Sequence, residues 1–236
     1  HTPILDSIRE FKVLTGTYSA EYGRQSGAQV MVTSKSGTND LHGSLWEFHR
    51  NSVLDARNFF APNKPSFRRN QFGGVLSGPV WKNKTFFMTG YEGNRRGQQD
   101  TTLRAIPPVP FRSGNFSSLS TPIRNPKAGN APFPGNIIPA SAFSPQGAGL
   151  LALYPAPTGS GTNNFNAAAA SRFTSEQFIV RGDHRFSDRD SVYLVYEWQD
   201  SGTVTPFSGV GLPGYGVLAS SGTQHAVASW LHVFSP

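Results

Sequence analysis

Six histidines are the residues of this chain best suited to metal or proton chemistry, and four of them fall into two pairs, His42 with His49 and His225 with His232, beside His1 and His184. In an extended strand an odd separation puts two side chains on opposite faces, so neither pair can share one ion. Lys35-Ser36-Gly37 is similar to the Lys-Thr-Gly element of serine β-lactamases, but the Ser-x-x-Lys nucleophile motif occurs nowhere, and a turn accounts for the tripeptide. There is no G-x-S-x-G elbow, no H-E-x-x-H and no cysteine, which removes thiolate nucleophiles, thiolate zinc sites and disulfides together. Asp183, Asp188 and Asp190 could hold a cation or cap a hairpin turn. No catalytic residue, metal site or cofactor is therefore expected, and binding is the chemistry that remains. Trp46, Phe59, Phe60 and Trp198 could stack on a carbohydrate or peptide, or serve as core or membrane girdle. Phe59, Phe60, Arg68 and Arg69, in a long stretch between two expected strands, are the candidate ligand-contacting loop residues.

The composition bounds the scaffold that must carry them. With 236 residues, 25 Gly, 18 Pro and only 37% apolar residues, the balance favours turns and strands over helices. The formal charge is +7, but the arginines are scattered and only Arg68-Arg69 and Arg95-Arg96 stand in pairs, so a nucleic-acid partner is not expected. No apolar run reaches the roughly 18 residues of a membrane helix. His1-Thr2-Pro3 opens without the pattern of a signal peptide. Any membrane association must then be by strands.

Taken in order, Thr15 to Gly43 reads as a Gly-punctuated turn (Tyr22, Gly23, Arg24, Gly27), a short strand (Ala28, Val30, Val32), a Lys-Ser-Gly-Thr-Asn turn and a new strand at His42. Ahead of it, a turn at Ser7 and a strand over 9–14 are expected. Strands follow over 42–50, 71–81 and 85–94, with the three-residue turn Lys82-Asn83-Lys84 between the last two and a helical turn at 53–59. Residues 97–172 hold 11 of the 18 prolines, which take donors out of any ladder, so a long loop with one helix at 144–154 is expected. The clearest periodicity comes last. Phe178, Val180, Gly182, His184 and Phe186 alternate with Gln177, Ile179, Arg181, Asp183 and Arg185. After a short polar turn, Val192, Leu194, Tyr196 and Trp198 alternate with Ser191, Tyr193, Val195, Glu197 and Gln199. One apolar and one charged face on two strands joined by a short turn make an antiparallel hairpin. A sixth strand is expected over 224–234.

Short turns therefore alternate with long loops (51–70, 97–172, 200–223), the asymmetry of an outer-membrane barrel. The run I-R-E-F-K-V-L-T-G-T-Y-S-A-E-Y-G-R-Q-S-G-A-Q-V-M-V-T-S-K-S-G-T-N-D-L-H-G-S-L-W-E-F resembles the end of the plug and the first barrel strand of TonB-dependent outer-membrane transporters, with the Oar-like branch the nearest in pattern. L-D-A-R-N-F-F (54–60), F-R-R-N-Q-F-G-G (67–74), G-P-V-W-K-N-K-T-F-F (78–87), F-P-G-N-I-I-P-A-S (133–141) and D-H-R-F-S-D-R-D-S (183–191) extend the resemblance along the chain. It implies an antiparallel all-β fold: residues 1–38 as the C-terminal end of a plug, and 39–236 as the first six or so strands of a barrel of about 22. It also implies residence in the bacterial outer membrane among its lipids, an energising TonB-type partner, and an unidentified ligand of carbohydrate, peptide or siderophore type. Six strands cannot close such a barrel, and a fragment is the expectation. Two alternatives stay open: a soluble, secreted or periplasmic β-rich binding protein, in which Phe178, Val180, Leu194 and Trp198 would be buried together, and a hydrolase whose site the residues do not reveal.

Overall fold

The computed structural model describes residues 3–15, 28–57, 59, 64–209 and 211–235. A 3-10 turn at Leu5–Ser7 leads into β1 (Ile8–Leu14), which pairs antiparallel with β2 (Gln29–Ser34) as a separate ribbon. The main sheet is built from β3 (His42–Asn51), β4 (Phe67–Trp81) and β5 (Thr85–Arg104). Beyond a segment holding β6 (Arg124–Asn125) and β7 (Ala131–Pro132), it continues with β8 (Phe165–Arg185), β9 (Asp190–Thr205) and β10 (Val217–His232). Across it the strands run β10, β9, β8, β5, β4, β3, so each long strand lies beside its neighbour in sequence and β3 and β10 form open edges. The β3–β4, β4–β5 and β8–β9 pairs are antiparallel. The fold is thus all-β, as expected.

The strands are longer and the loops shorter than proline and glycine content suggests. β5 runs to Arg104 instead of stopping near 94, because residues 95–104 contain no proline and the ladder ends only before Pro107-Pro108. β8 begins at Phe165, not 177: its Ala167–Ala170 run is a poor strand former alone, but pairing with a neighbour overrides that preference. The expected loop at 97–172 therefore shrinks to 105–164. β4 starts at Phe67 and carries Pro79, with a register irregularity between Pro79 and Trp81 that absorbs the missing donor. β9 and β10 likewise extend into the expected 200–223 loop. The turn at Tyr22, Gly23, Arg24 and Gly27 lies outside the described residues. The helical turn expected at 53–59 is a 3-10 turn at Ser52–Leu54, where the Asn51 side chain accepts from the Val53 N–H.

Contacts divide the chain into two compact units, one of residues 1–98, 171–204 and 218–236, the other of 99–170 and 205–217. The second contains α1 (Val109–Arg112) and α2 (Pro145–Ala152), the latter opened by Ser144, whose hydroxyl accepts from the Gly147 N–H at 3.3 Å. Its core is Ile106, Phe165 and Leu212 with Tyr154 and Ala167 against them. Asn164 locks it, since its side-chain amide donates to the Ile106 carbonyl and accepts from the Ile106 N–H, both at 2.9 Å.

In the first unit the sheet has one covered face and one bare face. On the covered face Ile4, Val75, Met88 and Ile179 form a buried cluster, with Trp46 and Val195 packed against it and Met88 0% exposed. The bare face carries Leu45 at 91% exposure and Leu194 at 58%, together with Leu76, Tyr91, Phe178, Val180 and Tyr196, all exposed. The hairpin register pairs Phe178 with Trp198, Val180 with Tyr196 and Gly182 with Leu194, which gathers the expected apolar row on the bare face. Gly37 sits where a Cβ would lie 2.6 Å from both the Gly78 and Phe87 carbonyl oxygens; close backbone approach, not catalysis, accounts for the Lys35-Ser36-Gly37 turn.

Candidate functional site

Residues 4–14 and 29–35 lie on the covered face and are tied to it by polar contacts. Arg181 grips Asp183 with Nε at 2.9 Å and Nη2 at 2.7 Å, stacks over the Tyr193 ring at 4.6 Å, and turns Nη1 to the Ser34 carbonyl at 3.1 Å and hydroxyl at 3.0 Å. Asp6 accepts from the Ser44 hydroxyl at 2.9 Å, and the Lys35 N–H donates to the Ser7 carbonyl at 2.7 Å. Between ribbon and sheet lies a cleft of about 390 Å³, lined among others by Arg181, Tyr193, Glu197 and His225. Glu197 reaches His225 Nδ1 at 3.4 Å. The charged side of the hairpin, Arg181, Asp183 and Glu197, thus faces this polar interior, opposite the apolar row.

Toward the other end of β3, β4 and β5, the register aligns cations. Arg50 stands opposite Arg69, and Arg69 opposite Arg96. Alternation from Trp46 to Arg50, from Val75 to Arg69 and from Met88 to Arg96 puts all three on the covered face. Arg50 lies 4.8 Å over the Phe67 ring and bonds Asp55 at 3.1 Å; Arg96 lies 5.2 Å over Phe173; Arg69 hydrogen-bonds the Gln71 side chain. On the same face, Asn94 Oδ1, Ser175 Oγ and Gln177 Oε1 are buried without a protein partner among the described residues, a polar wall that a wet interior tolerates.

The four residues singled out from the sequence are not brought together. Arg68 and Arg69 are not loop residues but part of β4, and alternation sends them to opposite faces, Arg68 to the bare one. Phe59 is 86% exposed in the loop after β3, and Phe60 lies outside the described residues. Arg50 and Arg96 were missed, because only the register across three strands, which no local pattern encodes, sets them beside Arg69. Asp183, Asp188 and Asp190 are separately engaged, by Arg181, Arg185 and His232, and no three metal-ligating side chains converge among the described residues. Asp190 closes the 186–190 turn, beyond the apolar row. The His232 hydrogen bond at 2.6 Å, helped by Ser187, holds its carboxyl below the ordinary carboxylate range. His232 lies on the opposite side from His225, as the odd spacing requires.

The family model described as outer membrane beta barrel domain matches residues 33–236. The TonB-dependent transporter Oar of Myxococcus xanthus is similar at 26% identity over 111 residues, 43% of this chain and 10% of that protein. The chain therefore aligns with only a small part of that relative's length. No solved structure matches.

Proposed function

The chain belongs to the outer membrane β-barrel domain family and resides in the bacterial outer membrane, and from that premise we propose that it forms part of a TonB-dependent receptor for energised uptake. In this reading the bare face of the sheet meets lipid and the covered face lines the lumen. Residues 1–38 are the end of a plug domain and 39–236 the first barrel strands, β3 and β10 continuing into further strands at their open edges. Phe59, in the loop after β3, and its sequence neighbour Phe60 contact the incoming ligand together with Arg69 at the start of β4, while Arg68, on the bare face, stands outside that path.

One observation carries the reading: Leu45, Phe178, Val180, Leu194 and Tyr196 point away from the body of the protein, while Arg181, Asp183 and Glu197 face the segment packed on the other side. A water-soluble sheet would bury the first set and hydrate the second, whereas a membrane barrel does the reverse. Transport rather than turnover accords with the similarity to a transporter.

The test is uptake by cells producing the gene product that contains this chain, with and without the inner-membrane energising complex. Each culture is offered a panel of labelled oligosaccharides, peptides and ferric chelates. Accumulation of one class that disappears when the complex is deleted or the proton gradient collapsed is expected. Accumulation indifferent to both would overturn the receptor assignment.

A further inference from the structure

We infer that Arg50, Arg69 and Arg96 form a subsite for a multiply charged anion, a ligand presenting two or more carboxylate or phosphate groups about 5 Å apart, the spacing of neighbouring strands. The inference rests on the receptor reading in one respect only, that the covered face is the lumen.

Cations directly opposite one another on a sheet repel, and a fold with no use for them would place one neutral residue or one acid in the row. The carboxylates of the same compact unit do little to neutralise it. Asp55 pairs with Arg50, but Glu176 pairs with Arg95 on the bare face, Asp183 is held by Arg181, and Glu92 accepts from Gln177 at 3.5 Å. Among the described residues, Asp55 is the carboxylate that an ion pair ties to the three guanidiniums. Two of them lie over rings, Arg50 on Phe67 and Arg96 on Phe173. A ring occupies the flat face of a guanidinium and leaves its N–H edges for hydrogen bonds; Arg50 gives Nε and Nη2 to Asp55, so a carboxylate or phosphate would meet its remaining N–H groups and the fork of Arg96. Arg69, in the middle, is engaged by a neutral amide.

The face excludes lipid headgroups, since the row shares its side with the buried cluster at Val75 and Met88 and not with exposed Leu45 and Leu194. The spacing sets the class. An acetate-like monoanion can engage one guanidinium, whereas a ligand with two or three charges bridges neighbours, and its affinity rises with each added contact. The row adjoins the 3-10 turn at Ser52–Leu54 through Asp55, which Arg50 holds just beyond it.

The experiment is calorimetric titration of the detergent-solubilised gene product with citrate and inorganic triphosphate, set against acetate and glucose. Citrate and triphosphate binding that weakens steeply between low and moderate salt is expected, with no heat from glucose and acetate weaker by at least about tenfold. R69Q should reduce triphosphate affinity about tenfold or more, and R50Q/R69Q/R96Q should abolish it. R69K should keep part of it, and R172Q, on the bare face, should change nothing. Compact migration of unboiled protein on a denaturing gel verifies that each variant is folded. Equal affinity for acetate and citrate, or undiminished binding in the folded triple variant, overturns the subsite. Energised uptake that persists in the triple variant would sink the subsite and spare the receptor. Anion binding lost in that variant, with uptake indifferent to the energising complex, would do the opposite.

Discussion

Met88 and Leu194 are both large apolar residues within long strands, yet they have opposite surroundings, and that contrast is the sharpest residue-scale test of the fold. Met88 is fully buried against Ile4, Val75 and Ile179, so Met88→Ala should cost about 2–5 kcal/mol in denaturant unfolding, through lost contacts and the cavity left behind. Leu194, 58% exposed, has far fewer protein contacts to lose. Its replacement by Arg should leave the detergent-solubilised fold nearly unchanged and destabilise the protein in lipid vesicles by about 2–4 kcal/mol, the cost of a charge on a lipid face near the bilayer midplane. Equal costs in both media would place Leu194 in a protein core. Arg181 is the polar counterpart. Arg181→Ala removes two bonds to Ser34 and strands Asp183, and it should free the N-terminal ribbon, seen as faster limited proteolysis before residue 39 with the barrel strands still protected.

At the scale of elements, the short turns are held by side chains that local sequence made conspicuous. Asn83 adopts φ 64° in the Lys82-Asn83-Lys84 turn, and its N–H donates to the Asn39 side chain at 2.8 Å. Asn83→Gly should be tolerated, whereas Asn83→Val should destabilise the hairpin by about 1–3 kcal/mol through strain at positive φ, measured by equilibrium unfolding. The 186–190 turn makes a pH prediction. Since the folded Asp190 carboxyl titrates below its unfolded value, its contribution is present above the ordinary carboxylate range and is lost as pH falls below that range through the lowered folded value. Trp230, whose ring N–H donates to Asp190 at 3.3 Å, reports the event: its emission should shift on acidification below the ordinary carboxylate range, and D190N should remove the transition. The strands themselves were only half legible. Proline-free stretches such as 95–104 and 165–176 joined the sheet because a partner strand supplied the ladder, a gain that composition does not register.

For the molecule as a whole, the soluble alternative required Phe178, Val180, Leu194 and Trp198 to be buried together, and the first three are exposed on one face. Two open edges and an uncovered apolar face predict that these 236 residues, produced alone, enter detergent and self-associate through strand edges, visible as concentration-dependent mass in sedimentation; a monodisperse monomer in plain buffer would contradict this. What the sequence determined unaided was periodic: alternation told strands from helices, assigned each residue of the 177–199 hairpin to its face, and marked the short turns, because these properties depend on neighbours along the chain. The tertiary structure alone decided which face received the N-terminal ribbon, and that Arg50, Arg69 and Arg96 meet in a row. Those facts depend on the register between strands up to 46 residues apart, and a one-residue slip in that register would undo every one of them.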